Sequence, residues 1–182
     1  QTLAMRYRDA ENQVKKQELV QNVKDLQTRT ASADTTKPSN KVVAFSNGGV
    51  DEDAFYDTES YSKQELLKKL NYVEQVLGTT LEEDDDNIQL VKSKYEQGHL
   101  GDYEEMTQIA QLEIKKREHV IKAMDKKLDY VNGADYLTAD EKKEQAEVFE
   151  GRKYQSLREK QDYERILAEV QNHSEIYKKL GN

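Results

Sequence analysis

The stretch that decides the fold is residues 131–141, VNGADYLTADE. Asn132 and Gly133 form a strong turn signal, because both residue types tolerate the left-handed backbone of a tight turn. Thr138 and Glu141 follow at the S/T-x-x-E spacing of a capping box, in which two side chains satisfy free backbone N–H groups at the start of a helix. The stretch therefore predicts the end of one helix, a short turn and the start of another helix.

Apolar residues at helical spacing extend from this turn in both directions. Upstream they predict a helix over residues 103–131, and downstream a helix over residues 139–180 in which Gly151 is a weak point. Two long helices joined by a short turn form an antiparallel αα-hairpin. We expect an all-α fold, either an elongated helical bundle or an antiparallel coiled-coil hairpin.

The composition also favours long helices. The chain has 182 residues, of which 35% are hydrophobic and 35% are charged, with 1 proline and 8 glycines. So few turn-forming residues do not suit a fold of many strands, whereas long helices need few of them. The chain contains no cysteine, which excludes disulfide bonds, thiolate zinc sites and cysteine nucleophiles.

Another clear helix signal begins at Ser62. Ser62 and Glu65 have capping-box spacing, and Gly78 has the position of a helix C-cap. Between them lie four apolar residues at the spacing of a helix face that packs against another helix: Leu66, Leu70, Val73 and Leu77. We expect this helix to end at Gly78, and a second, short helix to restart near Thr79 and end at Gly98.

Residues 1–29 are predicted to form one amphipathic helix with a narrow apolar seam. The first half of the seam consists of Leu3, Tyr7, Ala10 and Val14. A seam this narrow buries too little surface to be stable alone in water, so we expect it to pack against another helix. Two partners fit the pattern equally well, namely a helix of the protein's own bundle and a helix of another chain.

Residues 30–61 differ in character from the rest of the chain. They are polar, and they contain the single proline, Pro38, and the turn signal of Asn47 and Gly48. We interpret them as an acidic, partly extended linker to a helical bundle over residues 62–182. A loop of this length is usually a simple linker or a functional segment, and both interpretations stay open. Its candidate partner contacts are Val42, Val43, Phe45, Phe55 and Tyr56.

The histidines are the first residues to consider for a metal or catalytic site. Glu96 and His99 have the Glu-x-x-His spacing of di-iron bundles, but those sites need two such pairs and further inward glutamates. His119 and His173 have charged neighbours, which predicts surface positions. The sequence has no P-loop and no Gly-x-Ser-x-Gly motif. We therefore predict that the protein is not an enzyme and has no metal and no cofactor.

The charge distribution bears on the kind of partner. The formal net charge is -8, and residues 51–105 hold the acidic excess with 16 acidic and 5 basic side chains. This balance argues against nucleic acid, which is bound chiefly by lysine and arginine. No stretch approaches the roughly 18 consecutive apolar residues of a membrane span, so we expect no direct membrane insertion. A cytoplasmic location is favoured, and an extracellular or periplasmic location after processing stays open.

These observations predict a non-catalytic structural or assembly protein. It would bind protein partners, or further copies of itself, through coiled-coil helix packing and through the linker segment. The candidate contacts are the four stripe residues that follow Ser62 and the five apolar residues of the linker. Two alternatives stay open, namely a secreted or surface-exposed helical module processed from a longer precursor, and an acidic scaffold or chaperone that masks a basic surface.

Overall fold

The computed structural model describes residues 2–32 and 58–180 of the chain. Within these residues, 92% are helical, no strand occurs, and the helices number four. They are α1 (Leu3–Ser32), α2 (Thr58–Glu96), α3 (Asp102–Asn132) and α4 (Ala139–Leu180). The helices pack through buried apolar residues, which confirms the prediction of an all-α helical bundle. In the described part of the chain, no helix combines the length and apolarity that crossing a membrane requires.

The turn between α3 and α4 forms as its sequence predicts. The Gly133 N–H donates to the carbonyl of Asp129 at 3.0 Å and closes the last turn of α3. The Thr138 N–H donates to Glu141 Oε1, and the Glu141 N–H donates to Thr138 Oγ1, both at 3.1 Å. This reciprocal pair is the predicted capping box, and it satisfies two N–H groups that the start of a helix leaves free.

Two predicted boundaries in α2 are wrong. The helix begins at Thr58 rather than at Ser62, and it continues without interruption through Gly78 and Thr79. A glycine inside a helix costs only about 1 kcal/mol relative to alanine. Leu77 and Leu81, which flank Gly78, are both buried in the core, and their burial outweighs that cost.

The predicted end of α2 near Gly98 is confirmed. Gly98 has a φ of 79°, the left-handed conformation that glycine adopts without steric strain. Its N–H donates to the carbonyl of Tyr95 at 3.0 Å, and the His99 N–H donates to the carbonyl of Lys94 at 2.9 Å. These two bonds form a Schellman motif, the usual glycine-based end of a helix.

The chain divides into two compact units, and α2, α3 and α4 each contribute one segment to both. Unit 1 consists of residues 1–34, 84–115 and 158–182, and unit 2 consists of residues 35–83 and 116–157. The core of unit 1 is formed by Leu19, Val23, Val91, Met106, Ile109 and Val170. The core of unit 2 is formed by Leu66, Leu70, Leu77, Leu81, Val120, Met124, Val131, Ala134, Leu137 and Phe149.

The predicted segment boundaries can be compared with the helix bounds. The predicted helix over residues 1–29 corresponds to α1, which continues to Ser32, and the hairpin helices differ from α3 and α4 by one residue at most. Most of the predicted linker lies outside the described residues. Its first and last residues, Thr30 and Tyr61, belong to α1 and α2.

Gly151 tests the continuity of α4. It is exposed in the interior of the helix, and a Cβ atom added there would meet no other atom within 4 Å. Because alanine loses less backbone entropy than glycine on folding, we expect Gly151→Ala to raise the free energy of unfolding by about 0.5–1 kcal/mol. Urea denaturation followed by circular dichroism measures this change.

The control is the same substitution at Gly98, whose φ of 79° disfavours any side chain. We expect Gly98→Ala to lower the free energy of unfolding by about 1 kcal/mol. A loss of stability in Gly151→Ala would contradict an uninterrupted α4.

Candidate partner-binding surface

The four predicted contact residues of α2 are buried within their own chain. Leu66, Leu70 and Leu77 are 2%, 1% and 4% exposed and belong to the core of unit 2, and Val73 is 6% exposed. Their packing is therefore intramolecular, and a role toward a partner stays a prediction. The other predicted contacts, Val42, Val43, Phe45, Phe55 and Tyr56, lie outside the described residues.

The two halves of α1 differ sharply in burial. In the second half, Leu19, Val23 and Leu26 are at most 5% exposed and pack in unit 1. In the first half, the apolar seam of Leu3, Tyr7, Ala10 and Val14 is exposed, with Leu3 at 67%, Tyr7 at 65% and Val14 at 61%. We call these four residues the α1 seam. No described residue of the chain covers it.

A charged cluster lies where α1 joins the rest of unit 1. Lys16 Nζ lies 2.8 Å from Asp102 Oδ2, and the Tyr95 hydroxyl donates to Asp102 Oδ1 at 2.5 Å. The hydrogen bond from Lys16, reinforced by that from Tyr95, lowers the pKa of Asp102. The hydrogen bond that Tyr95 donates to the Asp102 carboxylate raises the pKa of Tyr95 to about 12. The cluster therefore holds α1 to the end of α2 and the start of α3 through an ionised carboxylate.

His173 is a second contact between α1 and the rest of unit 1, and its predicted surface position is wrong. The side chain is 3% exposed, and Nε2 lies 3.2 Å from the carbonyl oxygen of Asn12. Because a carbonyl only accepts hydrogen bonds, Nε2 carries the proton in this contact. The edge of the imidazole meets the ring of Tyr103, with centroids 5.7 Å apart. Charged neighbours in sequence gave no sign that α1 would cover this residue.

A second apolar surface lies between α2 and α3 in unit 2. It is a groove of about 420 Å³ lined by Tyr72, Val73, Val76, Leu77, Thr80, His119, Lys122, Ala123 and Lys126. We call it the α2/α3 groove. Tyr72 and Val76 remain 65% and 48% exposed on its α2 side, and Lys122 and Lys126 are exposed on its α3 side. The sequence pattern did not indicate this groove, although Tyr72 and Val76 each stand one position before a residue of the predicted stripe.

The candidate metal ligands of the sequence do not come together in the described residues. Among residues 2–32 and 58–180, no group of three or more His, Asp or Glu side chains is placed to hold a metal ion. His99 is exposed beyond the end of α2, whereas Glu96 is the last residue of that helix. His119, for which a surface position was predicted, is half-buried and lines the α2/α3 groove.

The α1 seam and the α2/α3 groove are therefore two candidate surfaces in the described part of the chain. Each combines exposed apolar side chains with charges at its edge, the composition found where proteins bind other proteins. No protein-family model matches the chain, and neither the curated proteins nor the solved structures include one that is significantly similar to it.

Proposed function

We propose that this protein is a non-catalytic assembly protein that pairs with a second copy of itself through the α1 seam. The observation that carries the proposal is the exposure of Leu3, Tyr7 and Val14 at 67%, 65% and 61% on one face of a continuous helix. Apolar side chains at this spacing stabilise a helix when a second helix covers them, and an isolated stretch of about 12 residues is marginal in water.

The seam follows a heptad register. The alternating spacing of four and three residues places Leu3 and Ala10 at d positions, and Tyr7 and Val14 at a positions. Each a and d residue of one helix inserts between residues of the facing helix in a coiled coil. The register thus supplies four core layers, alternately d and a, that a second copy of the same helix would match.

The charges beside the seam suit a parallel pair. In this register Arg6 occupies a g position and Glu11 occupies the following e position, and both are exposed. In a parallel coiled coil a g residue lies next to the e′ residue of the following heptad on the partner helix. Arg6 of each copy would therefore meet Glu11 of the other, whereas an antiparallel pair would not make this contact.

Solution mass tests the proposal. We expect sedimentation velocity to show a reversible monomer–dimer equilibrium with a dissociation constant of roughly 100 µM, because the seam is short. The variant Leu3→Ser/Tyr7→Ser/Val14→Ser should bind itself at least about tenfold more weakly, since it removes the apolar contact. The control Val148→Ser/Tyr154→Ser, which changes two exposed residues of α4, should dimerise like the wild type.

A charge swap tests the parallel orientation. Arg6→Glu should weaken the dimer by placing like charges together, and Arg6→Glu/Glu11→Arg should restore it. A mass that stays monomeric up to about 1 mM would contradict the proposal. Equal dimerisation of the triple-serine variant would contradict the assignment to the seam.

A further inference from the structure

We infer that the α2/α3 groove is a docking site for an acidic amphipathic helix of another protein. The inference rests on the proposed role as an assembly protein, but it concerns a different surface and a different kind of partner. Sedimentation velocity measures dimerisation, whereas fluorescence anisotropy of a labelled peptide measures binding to the groove. The failure of one can therefore be told from the failure of the other.

The shape of the groove suits a helix. Tyr72, Val76 and Thr80 follow one another at one-turn spacing along α2, and Lys122 and Lys126 do so along α3. Two ridges of side chains with a groove between them are the surface against which a third helix packs. A helix laid along the groove would bring residues at i, i+3, i+4 and i+7 onto its floor.

The floor and the α2 side of the groove are apolar. Val73 and Leu77 are buried at the bottom, and Ala123 is half-buried. Tyr72 and Val76 stand 65% and 48% exposed above them. Tyrosine supplies a large contact area with a polar tip, and it is enriched among the residues that contribute most to binding. The occupant must therefore present an apolar face toward α2.

The α3 side of the groove is basic. Lys122 and Lys126 are exposed, and neither makes an ion pair with any described residue. By contrast, the adjacent Lys127 is buried and contacts the carboxylate of Glu74 at 3.3 Å. Two lysines one turn apart, both without an ion pair among the described residues, would pair with two carboxylates one turn apart on an adjacent helix. Charge complementarity thus makes the second face of the occupant acidic.

The same features disfavour other anionic partners. Nucleic acids and anionic membranes are bound by many cations at once, whereas this groove offers two exposed lysines in a chain with a net charge of -8. Its apolar floor would contribute nothing to binding a phosphate backbone. An acidic helix with an apolar face uses both sides of the groove.

The probe is a synthetic helical peptide of about 18 residues, labelled with a fluorophore, with leucine at i, i+3, i+4 and i+7 and glutamate along one flank. We expect its fluorescence anisotropy to rise with a dissociation constant below about 100 µM at physiological salt. The same peptide with lysine in place of glutamate should bind at least about tenfold more weakly, because it faces Lys122 and Lys126.

Variants of the protein locate the binding site. Tyr72→Ser/Val76→Ser should weaken binding by about tenfold, whereas Val148→Ser/Tyr154→Ser, which changes exposed residues of α4, should change it less than about twofold. Circular dichroism of each variant reports whether the helices remain folded.

A second pair of variants tests the charges. Lys122→Glu/Lys126→Glu should also weaken binding of the acidic peptide by about tenfold, and it should remove most of the salt dependence. Lys143→Glu/Lys179→Glu changes the net charge of the chain equally at two other exposed positions, and it should leave binding within about twofold of wild type.

Three outcomes would overturn the inference. The first is no binding of the acidic peptide up to about 1 mM. The second is equal loss of binding in the groove variants and in their matched controls. The third is tighter binding of phosphatidylserine vesicles or of a single-stranded oligonucleotide than of the acidic peptide, which would assign the groove to a membrane or a nucleic acid.

Discussion

Replacing Glu74 by alanine should lower the free energy of unfolding by about 3 kcal/mol. Glu74 lies in unit 2 between two cations. Lys127 Nζ is 3.3 Å from its Oε2, and Arg152 Nη1 is 2.6 Å from its Oε1. All three side chains are largely buried: Glu74 is 11% exposed, Lys127 is 6% exposed and Arg152 is 16% exposed. The substitution would leave two positive charges in a poorly hydrated site without their shared carboxylate.

The pKa of Lys127 indicates how this penalty depends on pH. Burial lowers that pKa, and the charge and hydrogen bond of Glu74 oppose the effect. Without Glu74 the pKa should fall further, because the opposing contribution is lost. A lysine whose folded-state pKa is depressed destabilises the fold below that pKa, and the penalty is relieved as pH rises through it. We therefore expect Glu74→Ala to be less destabilising at pH 10 than at pH 7.

Urea denaturation at both pH values measures the effect. The matched control is Asp125→Ala, which removes the 2.6 Å ion pair with Lys153, whose partners are 49% and 28% exposed. Exposed pairs contribute about 1 kcal/mol or less, so the control should change stability little. The variant Glu74→Leu/Lys127→Met/Arg152→Leu should recover most of the lost stability, because it removes both cations together with the carboxylate that they share. A loss below about 1 kcal/mol in Glu74→Ala would contradict the buried-charge account.

The parts of the fold that the sequence predicted are those that local chemistry determines. The capping box of Thr138 and Glu141 involves residues three apart, and the Schellman motif at Gly98 needs only a glycine at the end of a helix. The stripe of Leu66, Leu70 and Leu77 was also recognisable, because helical spacing brings apolar residues to one face. Each of these signals is complete within a few turns of chain.

Features that depend on the packing of several helices were not predictable. Glu74 and Arg117 appear in the sequence as ordinary charged residues, yet they are 8% and 1% exposed. Gly78 appears to stop a helix, but the burial of residues on either side carries α2 through it. Which neighbour covers a side chain is decided by residues distant in sequence, and local spacing does not reveal it.

The candidate surfaces, too, were predictable only in the features that local sequence determines. Spacing identified the α1 seam as an apolar ridge, but it left open whether the protein's own bundle covers it. The structure buries Leu19 and Val23 and leaves Leu3 and Tyr7 exposed, although both pairs belong to one helix. In the α2/α3 groove the stripe residue Val73 proved to be buried, whereas its neighbour Tyr72 is exposed. A helical wheel separates such neighbours only when the positions of the packing helices are known.

The second large effect is expected at Tyr163 in unit 1. This side chain is fully buried. Its hydroxyl donates to Glu113 Oε2 at 2.9 Å and lies 2.8 Å from Thr30 Oγ1. Because a carboxylate only accepts hydrogen bonds, the tyrosine proton is committed to Glu113. The single Thr30 proton lies within reach of both the Leu26 carbonyl, at 2.8 Å, and the Tyr163 oxygen, and it can serve only one of them at a time. Tyr163 therefore joins the end of α1 to α3 through α4.

Tyr163→Ala should lower the free energy of unfolding by about 4 kcal/mol, because it removes a large buried ring and leaves a cavity. Tyr163→Phe should lower the free energy of unfolding by about 1.5–2 kcal/mol, which is the part of that loss due to the hydroxyl group. It keeps the ring but deprives Glu113, which is 5% exposed, of a hydrogen bond to its carboxylate. The contact from Gln27 Nε2 to the same carboxylate oxygen is long, at 3.4 Å, and replaces little of that bond.

Urea denaturation measures both losses. The control is Tyr154→Phe in α4, which should change the free energy of unfolding by less than about 0.5 kcal/mol because Tyr154 is 52% exposed. Hydrogen exchange separates a local from a general effect. If Tyr163 holds α1 through Thr30, amides of residues 19–30 should exchange faster in Tyr163→Phe than amides of unit 2. Uniform acceleration in both units would instead mean that the hydroxyl supports the whole fold. Equal stability of Tyr163→Phe and Tyr154→Phe would show that the hydrogen bond to Glu113 adds nothing.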